Sequence, residues 1–276
     1  MILSGEKIAK KILENLKKKI REKKLSLAVI QVGDNIVSKK YIEEKRKIAK
    51  KIGIGFHLIN LPLSISQVKL EQQIKRTGKD QKVSGMIVQL PLPGRLNVQH
   101  VVDLIPKEKD VDVLSSASFS DFALGILPIM PPTVAAIALL LKETKKKLEG
   151  SRVAVIGAGR LVGLPVALWL AQQGAIISLI QKETRNATRI IAKADIIISG
   201  VGKPGLITGK MVKKGAVVID AGTSIEQGSS KGDVERESVE KKASFLTPVP
   251  GGVGPLTVVC LFENLYLLTE KGNRGL

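Results

Sequence analysis

Three glycines follow a short apolar run at residues 153–156. Gly157, Gly159 and Gly163 stand in a G-x-G-x-x-x-G spacing, and an apolar helical pattern opens at Pro165. A buried strand, a glycine turn and a helix N-terminus together form an anion site. The glycines let the backbone approach a pyrophosphate, and unpaired N–H groups point at it. The spacing is one residue longer than the commonest dinucleotide fingerprint, so an ordinary strand-to-helix turn stays an alternative.

A second candidate is a pair of side chains in a segment predicted to be helical from Ser38 to Lys51. Tyr41 and Lys45 are four residues apart in this segment, so they share one helix face. A solvated lysine beside a half-buried tyrosine is the alternative in so lysine-rich a chain.

Polar residues also stand where an apolar run ends. Gln89 is the polar side chain of the run that starts at Gly85 and is closed by Pro91 and Pro93. Strand ends are where α/β sheets place ligands, although a structural hydrogen bond explains such a residue equally well. Asp110 and Asp112 follow in a charged loop, where either carboxylate is a candidate ligand group or a plain cap or turn residue.

The elements that must position these residues alternate between strand and helix patterns. One series precedes residue 125, and a second begins at residue 152. This alternation predicts an α/β fold of two domains, each with a mainly parallel sheet. The boundaries predicted are residues 1–128 plus 257–276 for the first domain and 129–256 for a Rossmann-like dinucleotide-binding domain. Residues 227–232 are predicted to be a flexible loop.

The amino-acid composition limits which functional classes this protein can belong to. The 276 residues carry a net charge of +19, but only 3% are aromatic, so platforms for stacking nucleic-acid bases are scarce. We interpret the charge as a solvated lysine surface that also suits anionic substrates. A single cysteine excludes an intramolecular disulfide or a cysteine zinc cluster. No signal peptide or membrane-spanning segment is expected. The single cysteine favours a reducing cytoplasm.

Six motifs in register carry a resemblance to a known family. They are the Tyr41/Lys45 pair, Val88–Pro93, Lys109–Asp112, Ala194–Pro204, Gly215–Gly222 and the Pro/Gly-rich run Thr247–Thr257. The chain resembles the bifunctional methylenetetrahydrofolate dehydrogenase/methenyltetrahydrofolate cyclohydrolase family, often called FolD, over nearly its whole length. The resemblance implies oxidation of 5,10-methylenetetrahydrofolate by NADP or NAD, hydrolysis of the methenyl product to 10-formyltetrahydrofolate, and a place in the one-carbon supply of purine biosynthesis.

The resemblance also implies roles for residues of the first domain. Lys45 would be the central catalytic group, held by Gln89, while Asp112 would grip the donor-rich edge of the pterin. Tyr41 would stack on a ring of the folate. The remaining residues implied for the substrate site are Val88, Leu90, Pro250, Gly251, Gly252 and Pro255.

The dinucleotide domain departs from the family pattern. Gly-Arg-Ser in the glycine turn is replaced by Gly157-Ala158-Gly159, and His-Ser-Arg-Thr after the second strand by residues 181–184. Glu183 suits a ribose 2′-hydroxyl and hence NAD, whereas Lys182, Arg160 and Arg185 suit the 2′-phosphate of NADP. The resemblance implies NADP, whereas the local residues favour NAD, so NADP is expected and NAD stays open. The residues implied for this site are Gly157, Ala158, Gly159, Arg160, Gly163, Lys182, Glu183 and Thr223.

The oligomeric state, the partners and two alternative functions are also addressed by the sequence. The resemblance implies a homodimer, and neither a metal, a nucleic acid nor a membrane is expected as a partner. Because the glycine turn is rewritten, a cyclohydrolase with weak or lost dehydrogenase activity stays an alternative. A basic nucleic-acid-binding protein on an old enzyme scaffold is the alternative from another class. In addition, Val113 follows Asp112 where the family has glycine, and this change affects the loop that presents the carboxylate.

Overall fold

The computed structural model describes residues 1–226 and 229–272. Backbone contacts divide the chain into two compact units. The three-stranded unit comprises Lys11–Pro132 and the chain from Val258 onward, and the five-stranded unit comprises Met1–Lys10 and Thr133–Thr257. The first ten residues, which the sequence suggested belong to the first domain, are thus grouped with the five-stranded unit. The predicted α/β class with mainly parallel sheets is confirmed.

The three-stranded unit is built on parallel strands in the order β2-β1-β3. The central strand is buried along its whole length, as expected when helices cover both faces of a parallel sheet. Its elements are α1 (Gly5–Lys19, which begins in the other unit), β1 (Ser26–Val32), α2 (Ile36–Ile52), β2 (Gly55–Leu61), α3 (Gln67–Lys79), β3 (Gly85–Val88), α4 (Val98–Val102) and α5 (Ser116–Ala123).

Helix α2 starts earlier than the sequence predicts. The side chain of Asn35 caps it by accepting a hydrogen bond from the backbone N–H of Ser38, and Gly53 ends it at a φ of 86°. The predicted start at Ser38 overlooked this cap. The buried face of α2 includes Ile42 and Ala49, and Lys45 lies between them at helical spacing. The helix therefore presents a lysine where its spacing calls for an apolar residue.

The five-stranded unit is a parallel sheet in the order β10-β7-β6-β4-β5. The chain leaves β4 to one side for β5 and then returns to the other side for β6, so the topology switches direction at β4. Its elements are α6 (Pro132–Glu143), β4 (Arg152–Ile156), α7 (Gly163–Gln172), β5 (Ile176–Ile180), α8 (Ala187–Ile191), β6 (Ile196–Ser199), β7 (Val217–Asp220), β8 (Ser224–Glu226), β9 (Ser229–Lys231), α9 (Arg236–Glu240) and β10 (Phe245–Leu246).

One segment differs from the sequence prediction. The predicted flexible loop at 227–232 is in part a strand, because β9 pairs antiparallel with β8. Residues 227 and 228 lie outside the described residues. Short polar strands such as Ser229–Lys231 carry no hydrophobic alternation, so the sequence offers no signal for them.

The last helix is α10 (Val253–Gly272). Its residues Val253–Glu270 are long and apolar enough to cross a membrane by length and composition. This window contains Glu263 and Glu270, so it is not the uncharged apolar span that the sequence analysis excluded. Half of that window is buried within the protein. Phe262 and Leu265 are fully buried, and the side chain of Asn264 donates hydrogen bonds to the carbonyls of Val111 and Met130. These contacts are those of a core helix.

The glycine turn after β4 provides a test of the packing. A Cβ at Gly163 would lie 1.6 Å from the carbonyl oxygen of Gly157, whereas a Cβ at Gly159 would meet nothing within 4 Å. We expect Gly163→Ala to destabilise the protein by about 3 kcal/mol or more, because backbone must move to admit the methyl group. Gly159→Ala is the matched control and should change stability by less than about 0.5 kcal/mol. Urea denaturation of both variants measures this, and equal stabilities would contradict the packing described.

Candidate active site

Lys45 and Gln89 meet in the three-stranded unit. Nζ of Lys45 donates a hydrogen bond of 2.9 Å to Oε1 of Gln89. Gln89 directly follows β3, and its backbone N–H donates to the carbonyl of Ile30 on β1. Its Nε2 donates to the carbonyl of Leu90. The amide is therefore held at both ends, and its oxygen is fixed toward the lysine.

Burial changes the proton affinity of Lys45. The residue is only 9% exposed, and this desolvation lowers the pKa of its ammonium below the usual 10.5. The negative charge of Asp112 acts in the opposite direction, but the desolvation is the larger effect. A lysine with a lowered pKa has more neutral amine at physiological pH, so Lys45 can accept a proton.

The structure distinguishes the two candidate carboxylates of the charged loop. Asp110 is fully buried, and its carboxylate accepts hydrogen bonds from the backbone N–H groups of Leu114 and Ser115 and from the hydroxyl of Ser115. Asp110 is therefore the residue that shapes the loop. Asp112 is half-buried and is the carboxylate that acts on Lys45.

Val113 shows the consequence of the departure from the family pattern. It has a φ of +57°, in the left-handed region where a β-branched residue is strained and glycine is favoured. The loop thus keeps the conformation that a glycine would adopt, and the side chain of Val113 is buried. The carboxylate of Asp112 is presented by a strained backbone.

Three predicted substrate residues lie on the same elements. Tyr41 is half-buried on α2, and Leu90, which follows Gln89, is half-buried. Leu90 is also contacted by Ser38, a residue the sequence analysis missed, whose hydroxyl donates to the Leu90 carbonyl at 3.4 Å. Val88 is only 1% exposed and belongs to the core cluster. The structure assigns Val88 a packing role, and its contact with substrate stays a prediction.

In the five-stranded unit, the predicted cofactor residues gather at the carboxyl ends of neighbouring strands. Gly157, Ala158, Gly159 and Arg160 follow β4, Gly163 starts α7, Lys182 and Glu183 follow β5, and Thr223 follows β7. Gly157 has a φ of 90°, which turns the chain sharply at the end of β4. Lys182, Glu183 and Thr223 are exposed. Since a dinucleotide binds at the switch point of such a sheet, this edge fits one.

Two aspartates that the sequence analysis did not assign hold the loops of this edge. Both Asp220 and Asp233 are almost fully buried. Asp220 accepts hydrogen bonds from the backbone N–H groups of Gly222, Asp233 and Val234. Desolvation and the neighbouring Asp233 raise the pKa of Asp220 to about 6 against these hydrogen bonds. Asp220 is the last residue of β7 and directly follows an apolar run, and this position is the sequence signal that could have identified it.

Asp233 supports the loop that follows β6. Its carboxylate accepts hydrogen bonds from the hydroxyl of Ser199 and from the backbone N–H groups of Val201 and Lys203, each at 2.7 Å. A carboxylate with several donors rigidifies the loop that it bridges. Asp233 and Asp220 therefore shape the edge on which the cofactor residues lie.

The Pro/Gly-rich run also lies in the five-stranded unit. Gly251 has a φ of 100°, and its carbonyl accepts the backbone N–H of Gly5. A Cβ at Gly252 would lie 2.5 Å from the carbonyl of Pro248. These glycines are required by close backbone packing near the chain start. The binding of substrate by Pro250, Gly251, Gly252 and Pro255 stays a prediction.

Comparisons with known proteins agree with this geometry. Residues 3–112 match the description "Tetrahydrofolate dehydrogenase/cyclohydrolase, catalytic domain", and residues 131–273 match the NAD(P)-binding domain of the same family. The bifunctional protein FolD of Staphylococcus epidermidis is 40% identical over 281 residues, covering 100% of this chain and 98% of the relative.

Solved structures are similar over the full length. The FolD methylenetetrahydrofolate dehydrogenase/cyclohydrolase of Campylobacter jejuni matches with a TM-score of 0.94 at 35% identity, covering 99% of each chain. The FolD enzyme of Trypanosoma brucei, solved with NADP and an inhibitor, matches with a TM-score of 0.95 at 32% identity, covering 100% of this chain and 99% of that one.

The fold and site define a class of two-unit α/β proteins with a dinucleotide-binding edge in one unit and a buried lysine in the other. Within that class, this chain belongs to the tetrahydrofolate dehydrogenase/cyclohydrolase family. In the part of the chain that the structure describes, no group of three or more His, Cys, Asp or Glu side chains could hold a metal ion.

The buried lysine predicts a pH-dependent effect on stability. The folded protein holds Lys45 with a lowered pKa, while the unfolded chain keeps the ordinary value. Protonation therefore favours unfolding as the pH falls below about 10.5, the ordinary lysine value. We expect Lys45→Met to raise Tm at pH 7 by roughly 2–4 °C, and this gain should shrink as the pH approaches 10.

Thermal denaturation between pH 7 and 10 measures the effect. Lys47→Met is the matched control, since Lys47 is an exposed lysine on the same helix, and it should leave Tm almost unchanged. A Lys45→Met variant less stable than the wild type at pH 7 would show that the lysine is not disfavoured by burial.

Proposed function

We propose that this protein oxidises 5,10-methylenetetrahydrofolate with NAD(P) and hydrolyses the resulting 5,10-methenyltetrahydrofolate to 10-formyltetrahydrofolate. The observation that carries the proposal is the buried Lys45, held by Gln89 and influenced by Asp112, in a member of this family. The glycine turn from Gly157 to Gly163 would hold the dinucleotide, whose nicotinamide would supply the hydride acceptor for the oxidation. The other steps fall to side chains of the three-stranded unit.

Lys45 acts on the hydrolytic step. The oxygen of a water molecule bonds to the cationic methenyl carbon, and the water loses a proton to the neutral amine of Lys45. The bond from that carbon to N5 then breaks as N5 takes up the proton that Lys45 returns. The hydroxyl of the adduct loses the second water proton to solvent, and the carbon becomes the formyl group on N10. A lysine whose pKa is lowered by burial suits this exchange because it gives up its proton more readily than a solvated lysine and can both accept and return one.

The neighbouring residues bind and orient the folate. Asp112 accepts hydrogen bonds from the donor-rich edge of the pterin, and Tyr41 stacks on a ring of the substrate from one helical turn away. Their half-buried positions support these roles, because each side chain can contact both the protein and a ligand. Leu90, Val88, Pro250, Gly251, Gly252 and Pro255 are proposed as further substrate residues.

The edge of the five-stranded sheet binds the dinucleotide. The glycine turn from Gly157 to Gly163 approaches the pyrophosphate, with Ala158, Gly159, Arg160 and Thr223 beside it. Lys182 and Glu183 meet the adenosine ribose, since they follow the strand next to the glycine turn. NADP is the proposed cofactor and NAD is the alternative.

We also propose that the enzyme is a cytoplasmic homodimer. Support for the dimer comes from the family resemblance and from β5, an edge strand of the five-stranded sheet whose Ile176 is exposed. The cytoplasm is supported by the single cysteine, Cys260, which is free and buried.

A paired assay tests the function. The purified protein is given 5,10-methylenetetrahydrofolate with NADP or with NAD, and both reduced nicotinamide and the methenyl product are followed. Lys45→Met should lower the cyclohydrolase kcat by about 10²-fold or more, because the proton acceptor is lost. An unchanged rate in that variant would rule out the role of Lys45. Hydrolysis of added methenyl substrate without turnover of either dinucleotide would identify a cyclohydrolase alone.

Glu183 provides a test of the cofactor site. Its carboxylate repels a 2′-phosphate and accepts a hydrogen bond from a 2′-hydroxyl. We expect Glu183→Ala to raise the ratio of kcat/KM for NADP over NAD by about tenfold, equivalent to about 1.4 kcal/mol. Glu240→Ala removes an exposed carboxylate on α9 and is the control. A ratio that stays constant in Glu183→Ala would place the ribose elsewhere.

A further inference from the structure

Gln31 lies between two other amide side chains at the carboxyl end of the three-stranded sheet. It pairs with Asn60 of β2 on one side. On the other side, Ile30 pairs with Val88 and accepts the backbone N–H of Gln89, so the next residues along, Gln31 and Gln89, are neighbours. Neighbouring parallel strands are about 4.8 Å apart, which brings side chains at paired positions into reach of each other.

Gln31 and Gln89 project from the same face of the sheet. Ile30 and Val88 point into the apolar cluster on the opposite face, and successive residues of a strand alternate between faces. The face that carries Gln31 and Gln89 is the one where Lys45 reaches Gln89 from α2. Gln31 therefore lies beside the Lys45–Gln89 pair.

The amide nitrogen of Gln31 is buried without a partner. The residue is 5% exposed, and within residues 1–226 and 229–272 its Nε2 is the buried side-chain nitrogen or oxygen that makes no hydrogen bond. A buried amide donor without an acceptor destabilises a protein, whereas an apolar side chain of the same shape does not. The unpaired Nε2 of Gln31 lowers the stability of the fold, and a hydrogen bond to a ligand would explain why it is present.

The neighbouring amide of Gln89 already has partners for both of its ends. Nε2 of Gln89 is committed to the carbonyl of Leu90, and Oε1 of Gln89 accepts from Lys45. A water that gives its proton to Lys45 must lie within hydrogen-bond distance of Nζ. Its oxygen needs a donor that stabilises charge as the proton leaves.

We propose that Gln31 is a further catalytic residue of the hydrolytic reaction, whose Nε2 donates a hydrogen bond to the oxygen that water adds to the methenyl carbon. The inference rests on the proposed function. The oxygen–carbon bond forms as one water proton passes to Lys45. The bond from the carbon to N5 then breaks as Lys45 returns that proton to N5 and the second water proton leaves to solvent. Gln31 keeps its own proton while it stabilises the oxygen until the formyl carbonyl has formed. The dehydrogenase step adds no oxygen, so Gln31 has no role in it.

The test compares the two activities of one variant. Gln31→Met keeps the length and volume of the side chain and removes the donor. We expect its cyclohydrolase kcat to fall on the order of 10²-fold, its dehydrogenase rate to stay within about twofold, and its Tm to equal or exceed that of the wild type. Asn60→Met removes the exposed amide on the far side of Gln31 and should leave both rates unchanged.

The outcomes separate the inference from the function on which it rests. Unchanged hydrolysis in Gln31→Met, or an equal loss of both activities, would overturn the role of Gln31 while leaving the proposed function intact. A wild-type protein that does not hydrolyse methenyltetrahydrofolate would overturn the proposed function itself. If Gln31→Met does not fold, Gln31→Asn, which keeps an amide, must show the same selective loss of hydrolysis in weaker form.

Discussion

The burial of Lys45 is the constraint on which the three-stranded unit depends. An ammonium group on the buried face of α2 is desolvated, and its pKa falls. The protein tolerates it because Gln89 accepts its hydrogen bond and Asp112 lies close enough to act on its charge. The positions of those two residues require the end of β3 and a loop shaped by the fully buried Asp110. The same burial that lowers the pKa of Lys45 therefore requires the local architecture that supplies Gln89 and Asp112.

Both units place their polar residues at the carboxyl ends of parallel strands. The loops that follow these strands are not paired with an adjacent strand. Their backbone N–H groups and side chains are therefore available to a ligand. In the five-stranded unit these loops are stabilised by Asp220 and Asp233, whose carboxylates accept hydrogen bonds from backbone N–H groups of the loops. Desolvation raises the pKa of Asp220 to about 6 against the hydrogen bonds that its carboxylate accepts.

Three features of the three-stranded unit lower the stability of the protein. Val113 adopts a backbone conformation that favours glycine, Gln31 buries an unpaired donor, and Lys45 buries a cation. Local conflicts of this kind are expected where a fold serves chemistry. They are concentrated around one side of the three-stranded sheet and the loop after it.

The sequence by itself determined the class of fold and the family, because strand and helix periodicity, glycine spacing and the motifs around Lys45 and Gln89 are local in the chain. Lys45, Gln89 and Asp112 were also identified as candidates from such local patterns, as was the strand-to-helix turn at Gly157–Gly163. Element bounds were approximate, since the Asn35 cap and the strand Ser229–Lys231 depend on hydrogen bonds that carry no periodic signal.

Only the tertiary structure decided what each polar residue does. It separated Asp110, which is buried under backbone donors, from Asp112, which acts on Lys45. It assigned Asp220 and Asp233 to loop support, and it placed Gln31 next to Gln89 through strand register. These distinctions depend on burial and on contacts between residues far apart in the chain. Such contacts arise only when the strands pair, so no local pattern of residues can encode them.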